Sequence, residues 1–528
     1  MLSCAALLLP RDCVTPRPRN RIQSSTVRDF VLVHINGVPH RIAAPRAFET
    51  LSRFLRYDQR ATGTKIVCEE GDCGACTVLV GRVEDRQSCL SASEGTEPRQ
   101  AGLPVLHYRP INSCIQFLFQ LDCTHVVTVE GLARGGTLTP VQDAMVRCHG
   151  AQCGYCTPGF IMAMAGMYEC TSHPTVGDVR AALTGNLCRC TGYDSIIKAA
   201  LEATDQPKIE EIYPSAPIVN AIKQYECDAV RLQGLQASEP PSLPGGQEAG
   251  RLGGFFKPND LASAIRFKSE NPKCVIVQGA TDFGVWCNKR GFVAEAMMSL
   301  DGIEGLGDVR HEDGALLVGG RASLADFESA VRGIVPELVP IMDRFGSPQI
   351  KNAGTLAGNI ANASPIADTL PFLFVTNASL ELTGLSGTRT VAISDFYLGY
   401  KKLDLQPDEL ITRIIIPLPS KDETLRLYKI SKRSHLDISS FTAAMLMRRS
   451  DGHVDSIRIA YGGVAPVVLR LPKTEQFLTG KALARETFAE AGEIARGEVA
   501  PISDVRGTRD FRLQLAQNVL QRFYFDIA

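Results

Sequence analysis

Alternating apolar and polar positions open the readable part of the chain. FVLVHINGVPHRI, from Phe30 to Ile42, has period two with Asn36-Gly37 at its centre, which predicts a β-hairpin. Thr50 to Tyr57 shifts to helical spacing, and Thr77-Val78-Leu79-Val80 reads as a strand after a loop rich in cysteine and glycine. Hairpin, helix, loop and strand predict a small β-grasp unit over residues 27–105. Four segments of helical periodicity follow: Thr139 to His149, Gly159 to Cys170, Val176 to Leu183 and Asp194 to Ala203. Thr175 and Asp194 stand where N-caps belong. They predict an all-helical unit over residues 110–205, and the Pro- and Gly-rich stretch 206–250 reads as a linker. Strand and helix patterns then alternate, as in Val275-Ile276-Val277 before Gly279 and Ala315 to Val318 before Gly319. They predict an α+β domain over 251–420 and a last α+β domain over 424–528.

A chain of 528 residues is too long for one core, so several domains are expected. Apolar residues at 45% and charged residues at 21% suit well-packed interiors. The net charge of -1 gives no electrostatic reason to expect nucleic acid or an anionic membrane as partner. No run approaches the ~20 apolar residues of a membrane span. Residues 1–26 read as a disordered extension rather than a signal peptide. The short apolar stretch Ala5 to Leu9 has no basic residue before it and ends at Pro10.

The cysteines carry the chemistry. Of 17, eight fall into two sets of four. Cys68, Cys73 and Cys76 in CEEGDCGACTV, followed after 12 residues by Cys89, have the C-x4-C-x2-C…C spacing of a plant-type [2Fe-2S] ferredoxin loop. Gly71 and Gly74 let that loop coil closely around a cluster. The second set is Cys153 and Cys156 in QCGYCTPGF, then Cys188 and Cys190 in GNLCRCTGY, in the connections between predicted helices. Taken alone, this second set also fits a Cys4 zinc site. Disulfides fit neither set, because tight spacings pair poorly and nothing marks the chain as secreted. The other cysteines, Cys114 among them, show no repeated ligand spacing and read as ordinary buried thiols. So many thiols imply a reducing compartment, the cytoplasm.

Two loops of the third domain have the composition of a phosphate cradle. VIVQGATDFG puts a small-residue turn directly after a strand, and SPQIKNAGTLAGNIANASPIAD crowds Gly, Asn, Ser and Thr into a short span. Such loops are also ordinary turns. The absence of G-x-G-x-x-G and of a Walker A sequence argues against Rossmann and P-loop sites.

The order of the ferredoxin loop, QCGYCTPG, GNLCRCTGY and GNIANASPIAD resembles the molybdenum hydroxylases. The fusion of two cluster domains to a flavin domain is similar to the small-subunit group of the bacterial xanthine dehydrogenases within them. The resemblance runs from about Val27 onward. It implies an α+β multidomain chain: a ferredoxin-like β-grasp [2Fe-2S] domain, a four-helix [2Fe-2S] domain, a non-Rossmann FAD-binding domain and a C-terminal flavoprotein domain. Cys68, Cys73, Cys76 and Cys89 would hold the cluster nearer the flavin, and Cys153, Cys156, Cys188 and Cys190 the one nearer molybdenum. Ile276, Val277, Gln278, Gly279, Ala280, Thr281, Asp282 and Phe283 match the first FAD loop, and Thr355, Asn359, Asn362 and Asp368 the second. Phe345 resembles the aromatic against the isoalloxazine, and Ile411 and Lys429 the last FAD contacts. Tyr400 resembles the tyrosine beside the nicotinamide of NAD, and Gln152 the glutamine touching the partner's molybdopterin. Ala280 and Ala357 depart from the family pattern, standing where a polar or glycine residue and a glycine are usual. The resemblance further implies a molybdopterin-binding large subunit in a heterotetramer of two small and two large chains. Electrons from hypoxanthine or xanthine would run through the clusters to FAD and NAD. No catalytic residue for the substrate lies in this chain. The same architecture serving an aldehyde or N-heterocycle hydroxylase, and a zinc-binding assembly protein, are the alternatives.

Overall fold

The hairpin forms as its alternation predicts. In the computed structural model, which describes residues 27–84, 105–234 and 253–528, strands Phe30–Ile35 and Val38–Ala43 pair from Phe30 opposite Ala43 to Ile35 opposite Val38. Asn36 and Gly37 both take positive φ, 49° and 84°, as a tight two-residue turn demands. The sheet continues through Thr124–Val127 and Thr77–Glu84 to Val105–Asn112. Helix Leu51–Tyr57 buries Leu51, Phe54 and Leu55 against it. The β-grasp unit therefore extends to Val127, past the expected boundary at 105, because the strands that close it lie beyond that point.

The helical unit is built around Thr157–Cys170, of whose 14 residues the run Gly159 to Tyr168 is wholly buried. A helix apolar all round needs cover on every side. Helices Pro140–Arg147, Val176–Ala182 and Asp194–Glu202 supply part of it, and strands Thr77–Glu84 and Val105–Asn112 of the first unit cover another side. Thr175 caps its helix as expected, accepting from the Asp178 amide at 3.3 Å. Asp194 does not cap: Tyr193, with φ 75°, precedes the helix and Asp194 is its first residue.

The expected linker is partly structured. Helices Ile209–Ile212 and Ser215–Lys223 and strand Ala229–Leu232 occupy its first half, and residues 235–252 lie outside the described residues. Ala229–Leu232 joins a sheet ordered Val27–Arg28, Ala229–Leu232, Gly254–Lys257, Ala296–Met298, Val275–Ile276. The first two described residues are thus a strand of the third unit. Arg28 locks this crossing: its guanidinium meets Asp122 at 2.8 Å, and Lys257 meets the same carboxylate at 2.6 Å, all three buried. Burial penalises the Asp122 carboxylate, but the two cations outweigh it and hold the group below the usual carboxylate range.

The third unit adds a second sheet, ordered Val309–Glu312, Ala315–Gly319, Leu410–Pro417, Ser379–Gly384, Gly387–Ala392. In the last unit strands Glu423–Ile430, Phe441–Ser450, His453–Gly462 and Leu469–Arg470 pack on helices Pro472–Leu478, Arg485–Glu498 and Arg509–Ile527. No helix among the described residues is long and apolar enough to cross a membrane.

Candidate redox centres and flavin cradle

The first cysteine loop is shaped by two glycines. Gly71 and Gly74 sit at φ 76° and 68°, and a Cβ on Gly74 would lie 2.2 Å from the Gly185 carbonyl oxygen. The loop is pinned from beneath: the Asn112 amide donates to the Gly71 carbonyl at 2.7 Å, and the Ser113 hydroxyl to that of Cys76 at 2.6 Å.

Cys68, Cys73 and Cys76 gather here, and Cys114 joins them. The side chains run in a chain, Cys73 against Cys68, Cys68 against Cys114 and Cys114 against Cys76. Cys114 and Cys73 act as thiol donors, which pushes Cys68 well below the ordinary thiol range; Cys114 likewise lowers Cys76. The donors themselves are pushed up. Thiolates are the form in which cysteine binds iron. Cys89 lies outside the described residues. Cys114 carries no ligand spacing in the sequence. Pairing of Thr77 with Asn112 brings it beside Cys76, and only the strand register could have revealed that.

The second set is open. Cys153 and Cys190 are exposed and Cys156 and Cys188 half-buried. The sulfurs pair two and two: Cys190 lies 3.7 Å from Cys153, and Cys156 meets Cys188. Burial and the Cys188 contact push the Cys156 thiol up to about 12. Burial also raises Cys188, but the Thr191 hydroxyl and amide donate to its sulfur at 3.2 and 3.5 Å and hold it below the ordinary value. Gln152 is exposed beside Cys153. The two sets are neighbours, since the Leu187 amide donates to the Cys73 carbonyl at 3.0 Å.

The two expected flavin loops also meet. A Cβ on Gly279 would lie 1.9 Å from the Ala353 carbonyl oxygen, so only glycine lets the backbones touch. A Cβ on Gly354 would lie 3.3 Å from the Thr281 hydroxyl. Ala280 is buried with φ 52°, a conformation that strains any residue with a Cβ. Ile276 ends a short strand, Val277 is buried, and Gln278 bridges Asp301 at 2.9 Å and the Leu300 amide at 3.1 Å. Asp282 and Phe283 start helix Phe283–Arg290.

In the second loop Thr355 caps helix Leu356–Ala361, accepting from the Gly358 amide at 3.0 Å. Asn359 accepts from the Thr369 hydroxyl at 2.6 Å. Asp368 pairs with Lys429 at 2.5 Å and accepts from the Ser439 hydroxyl at 2.6 Å, which ties the third unit to the fourth. Burial nevertheless raises the Asp368 carboxyl. Lys401, which no sequence motif marks, donates to the Asn362 carbonyl and side chain and interacts with Asp282, so it spans both loops. Its neighbour Tyr400 is exposed at the hairpin tip. Ile411 is buried in Leu410–Pro417, its carbonyl under Gly320, and Phe345 is half-buried ahead of helix Pro348–Ala353.

Flavin cradle and first cysteine set share one helix. At the far end of Phe283–Arg290, the Asn288 amide donates to the carbonyls of both Glu69 and Cys114 at 2.9 Å. Gln116 and Gln120, just past Cys114, donate in return to the carbonyls of Gly279 at 2.6 Å and Gln278 at 2.9 Å.

Comparison with known proteins agrees with this division. Residues 33–115 match the 2Fe-2S iron-sulfur cluster binding domain and residues 128–201 the [2Fe-2S] binding domain. Residues 249–419 match the FAD binding domain in molybdopterin dehydrogenase, and residues 426–527 the CO dehydrogenase flavoprotein C-terminal domain. Xanthine dehydrogenase of Oryza sativa subsp. japonica is 29% identical over 94% of this chain and 39% of its own length. Xanthine dehydrogenase 1 of Arabidopsis thaliana is 28% identical over 93% of this chain and 39% of its own length. Aldehyde oxidase 1 of Bos taurus is 28% identical over 94% of this chain and 39% of its own length. The chain therefore spans about two fifths of the curated relatives it matches. Among solved structures, quinoline 2-oxidoreductase from Pseudomonas putida 86 is 27% identical, covering 51% of this chain and 94% of that one with a TM-score of 0.48. The chain carries two [2Fe-2S] domains and a flavin-binding domain with its C-terminal companion.

Proposed function

We propose that this chain is the electron-transfer subunit of a molybdenum hydroxylase, and that the complex is a xanthine dehydrogenase. The observation that supports this most strongly is the single helix Phe283–Arg290, which starts at the first flavin loop and ends on the first cysteine loop through Asn288. The residues from Ile276 to Phe283 would hold a flavin next to the loop that would hold the first cluster, and the exposed second set would hold the other cluster nearer the surface. Bound FAD supplies the exchange between one-electron and two-electron chemistry. The chain's own part is to hold the carriers in order and tune them by hydrogen bonds and burial.

In this reading Cys68, Cys73, Cys76 and Cys114 hold the buried cluster, Cys114 taking the place the spacing had suggested for Cys89. Cys153, Cys156, Cys188 and Cys190 hold the open one. The cradle residues from Ile276 to Phe283, with Phe345, Thr355, Asn359, Asn362, Asp368, Ile411 and Lys429, bind FAD. Tyr400 meets NAD. Gln152, exposed beside Cys153, meets the molybdopterin of a large subunit in a two-plus-two heterotetramer in the cytoplasm.

The test has two stages. The chain alone should oxidise NADH with a one-electron dye while leaving purines untouched. The complex it forms with the molybdenum subunit that co-purifies should then reduce NAD with hypoxanthine and xanthine. Turnover of aldehydes or N-heterocycles in place of purines would keep the relay and overturn the xanthine assignment; absence of NADH oxidation would overturn the acceptor.

A further inference from the structure

Helix Pro348–Ala353 is only six residues long, yet it touches the loops of all three redox sites. Its Ala353 carbonyl lies against Gly279 of the flavin cradle, and its Ile350 side chain would lie 3.1 Å from a Cβ on Gly71 of the first cysteine loop. Its Asn352 amide donates to the Pro110 carbonyl at 2.9 Å, on the strand that leads to Cys114. Gln349 is fully buried and donates to the Asn186 side-chain oxygen at 2.9 Å and more weakly to the Thr77 hydroxyl at 3.3 Å.

Asn186, two residues before Cys188, donates in turn to the Gly74 carbonyl at 3.0 Å. Gly74 lies between Cys73 and Cys76. The assignment of both amides follows from this chain: a carbonyl can only accept, so Asn186 offers its nitrogen to Gly74 and its oxygen to the Gln349 nitrogen. The Gln349 oxygen finds no hydrogen-bond partner among the described residues and faces Gly185, where a Cβ would lie 2.1 Å away. A Cβ on Gly185 would also lie 2.6 Å from the Ser347 Cβ, so glycine fits there and a larger residue does not.

We propose that Gln349 is a positioning residue of the relay: through Asn186 it holds both cluster loops in register with the flavin cradle. The inference rests on the relay reading above. Neutral amides suit the task, because they fix geometry by direction and length while adding no charge between the carriers and no dependence on pH or salt. A buried donor or acceptor left unpaired is costly, so loss of one member shifts its neighbours.

The test compares the full, cofactor-loaded chain with Gln349→Leu, and with Gln142→Leu as a control. Gln142 is a buried amide that closes the N-terminus of Pro140–Arg147 and touches no cysteine or flavin loop. Iron, sulfide and flavin contents are measured first, then the spin-spin interaction between the two reduced clusters by EPR and the flavin-to-cluster transfer rate after pulse reduction. Gln349→Leu should keep its cofactors, weaken the interaction and slow transfer several-fold, while the control loses stability alone. Unaltered interaction and rate in Gln349→Leu would overturn the inference.

Asn186→Asp provides the second variant should Gln349→Leu not fold. It keeps the acceptor for Gln349 but sets a carboxylate against the Gly74 carbonyl. It should slow transfer and lower the potential of the first cluster; no change in either rate or potential would overturn the inference. Absence of flavin-to-cluster transfer in the unaltered chain would instead overturn the relay reading itself.

Discussion

The two cysteine sets have the same donors and opposite surroundings. The first lies where three units meet, with Asn112 and Ser113 under it, Asn288 across it and Asn186 behind it. The second lies at the rim of the helical unit, with Cys153 and Cys190 exposed. Their glycines show the difference most simply. Gly74 and Gly154 share a left-handed backbone, φ 68° and 79°, yet a Cβ on Gly74 would strike a carbonyl and one on Gly154 would meet nothing within 4 Å. An electron carrier surrounded by protein is insulated and fixed against its neighbours. One at the surface is reachable by another molecule. A relay between a partner and an internal flavin needs one of each.

The sharpest way to break this comparison is to remove one ligand at a time. Cys114→Ser should abolish the first cluster's EPR signal and leave the second intact. Cys89→Ser should leave both; the opposite result would restore the ligand set suggested by spacing. Next in size, Gly74→Ala should cost about 2–5 kcal/mol, the sum of left-handed strain and overpacking. Gly154→Ala should cost only the strain, about 1–2 kcal/mol. Urea denaturation of the two variants measures both.

Acid should separate the regions further. His125, buried in the β-grasp sheet, accepts from the Gly37 amide at 2.9 Å through Nε2, so Nδ1 carries the proton and donates to Tyr108 at 2.6 Å. Burial first, and His34 second, lower its pKa from 6.5 to about 3. The folded state therefore binds fewer protons than the unfolded chain between those values, and stability falls as pH drops below 6.5. At about pH 5 this amounts to roughly 2 kcal/mol. His125→Gln should remove that part of the pH dependence in denaturation curves recorded at neutral and acid pH.

Much of the site was legible because its chemistry is local. Three of the first set stand within one short spacing and the second set falls into two close pairs, Cys153 with Cys156 and Cys188 with Cys190, while the flavin loops announce themselves by Gly and Asn crowded after a strand. Asn36-Gly37 fixed the hairpin for the same reason. Cys114 was not legible, since it reaches its partners only through the antiparallel register of Thr77 with Asn112, 35 residues apart. Lys401 and Gln349 escaped likewise: their partners Asn362, Asp282 and Asn186 are remote in sequence. The structured first half of the expected linker was hidden because Ala229–Leu232 pairs with Val27–Arg28, a contact between two ends of the cluster region.

The central claim is a two-cluster, one-flavin relay with one cluster enclosed and one exposed. It is tested most directly by EPR of the anaerobically purified, reduced chain with and without a water-soluble paramagnetic relaxant, iron and flavin being counted on the same sample. The expected result is about four irons and one flavin per chain, with two [2Fe-2S] signals. The relaxant should broaden only the signal that Cys190→Ser removes and leave the one that Cys114→Ser removes. Zinc in place of iron, a single cluster signal, or equal broadening of both would contradict the account.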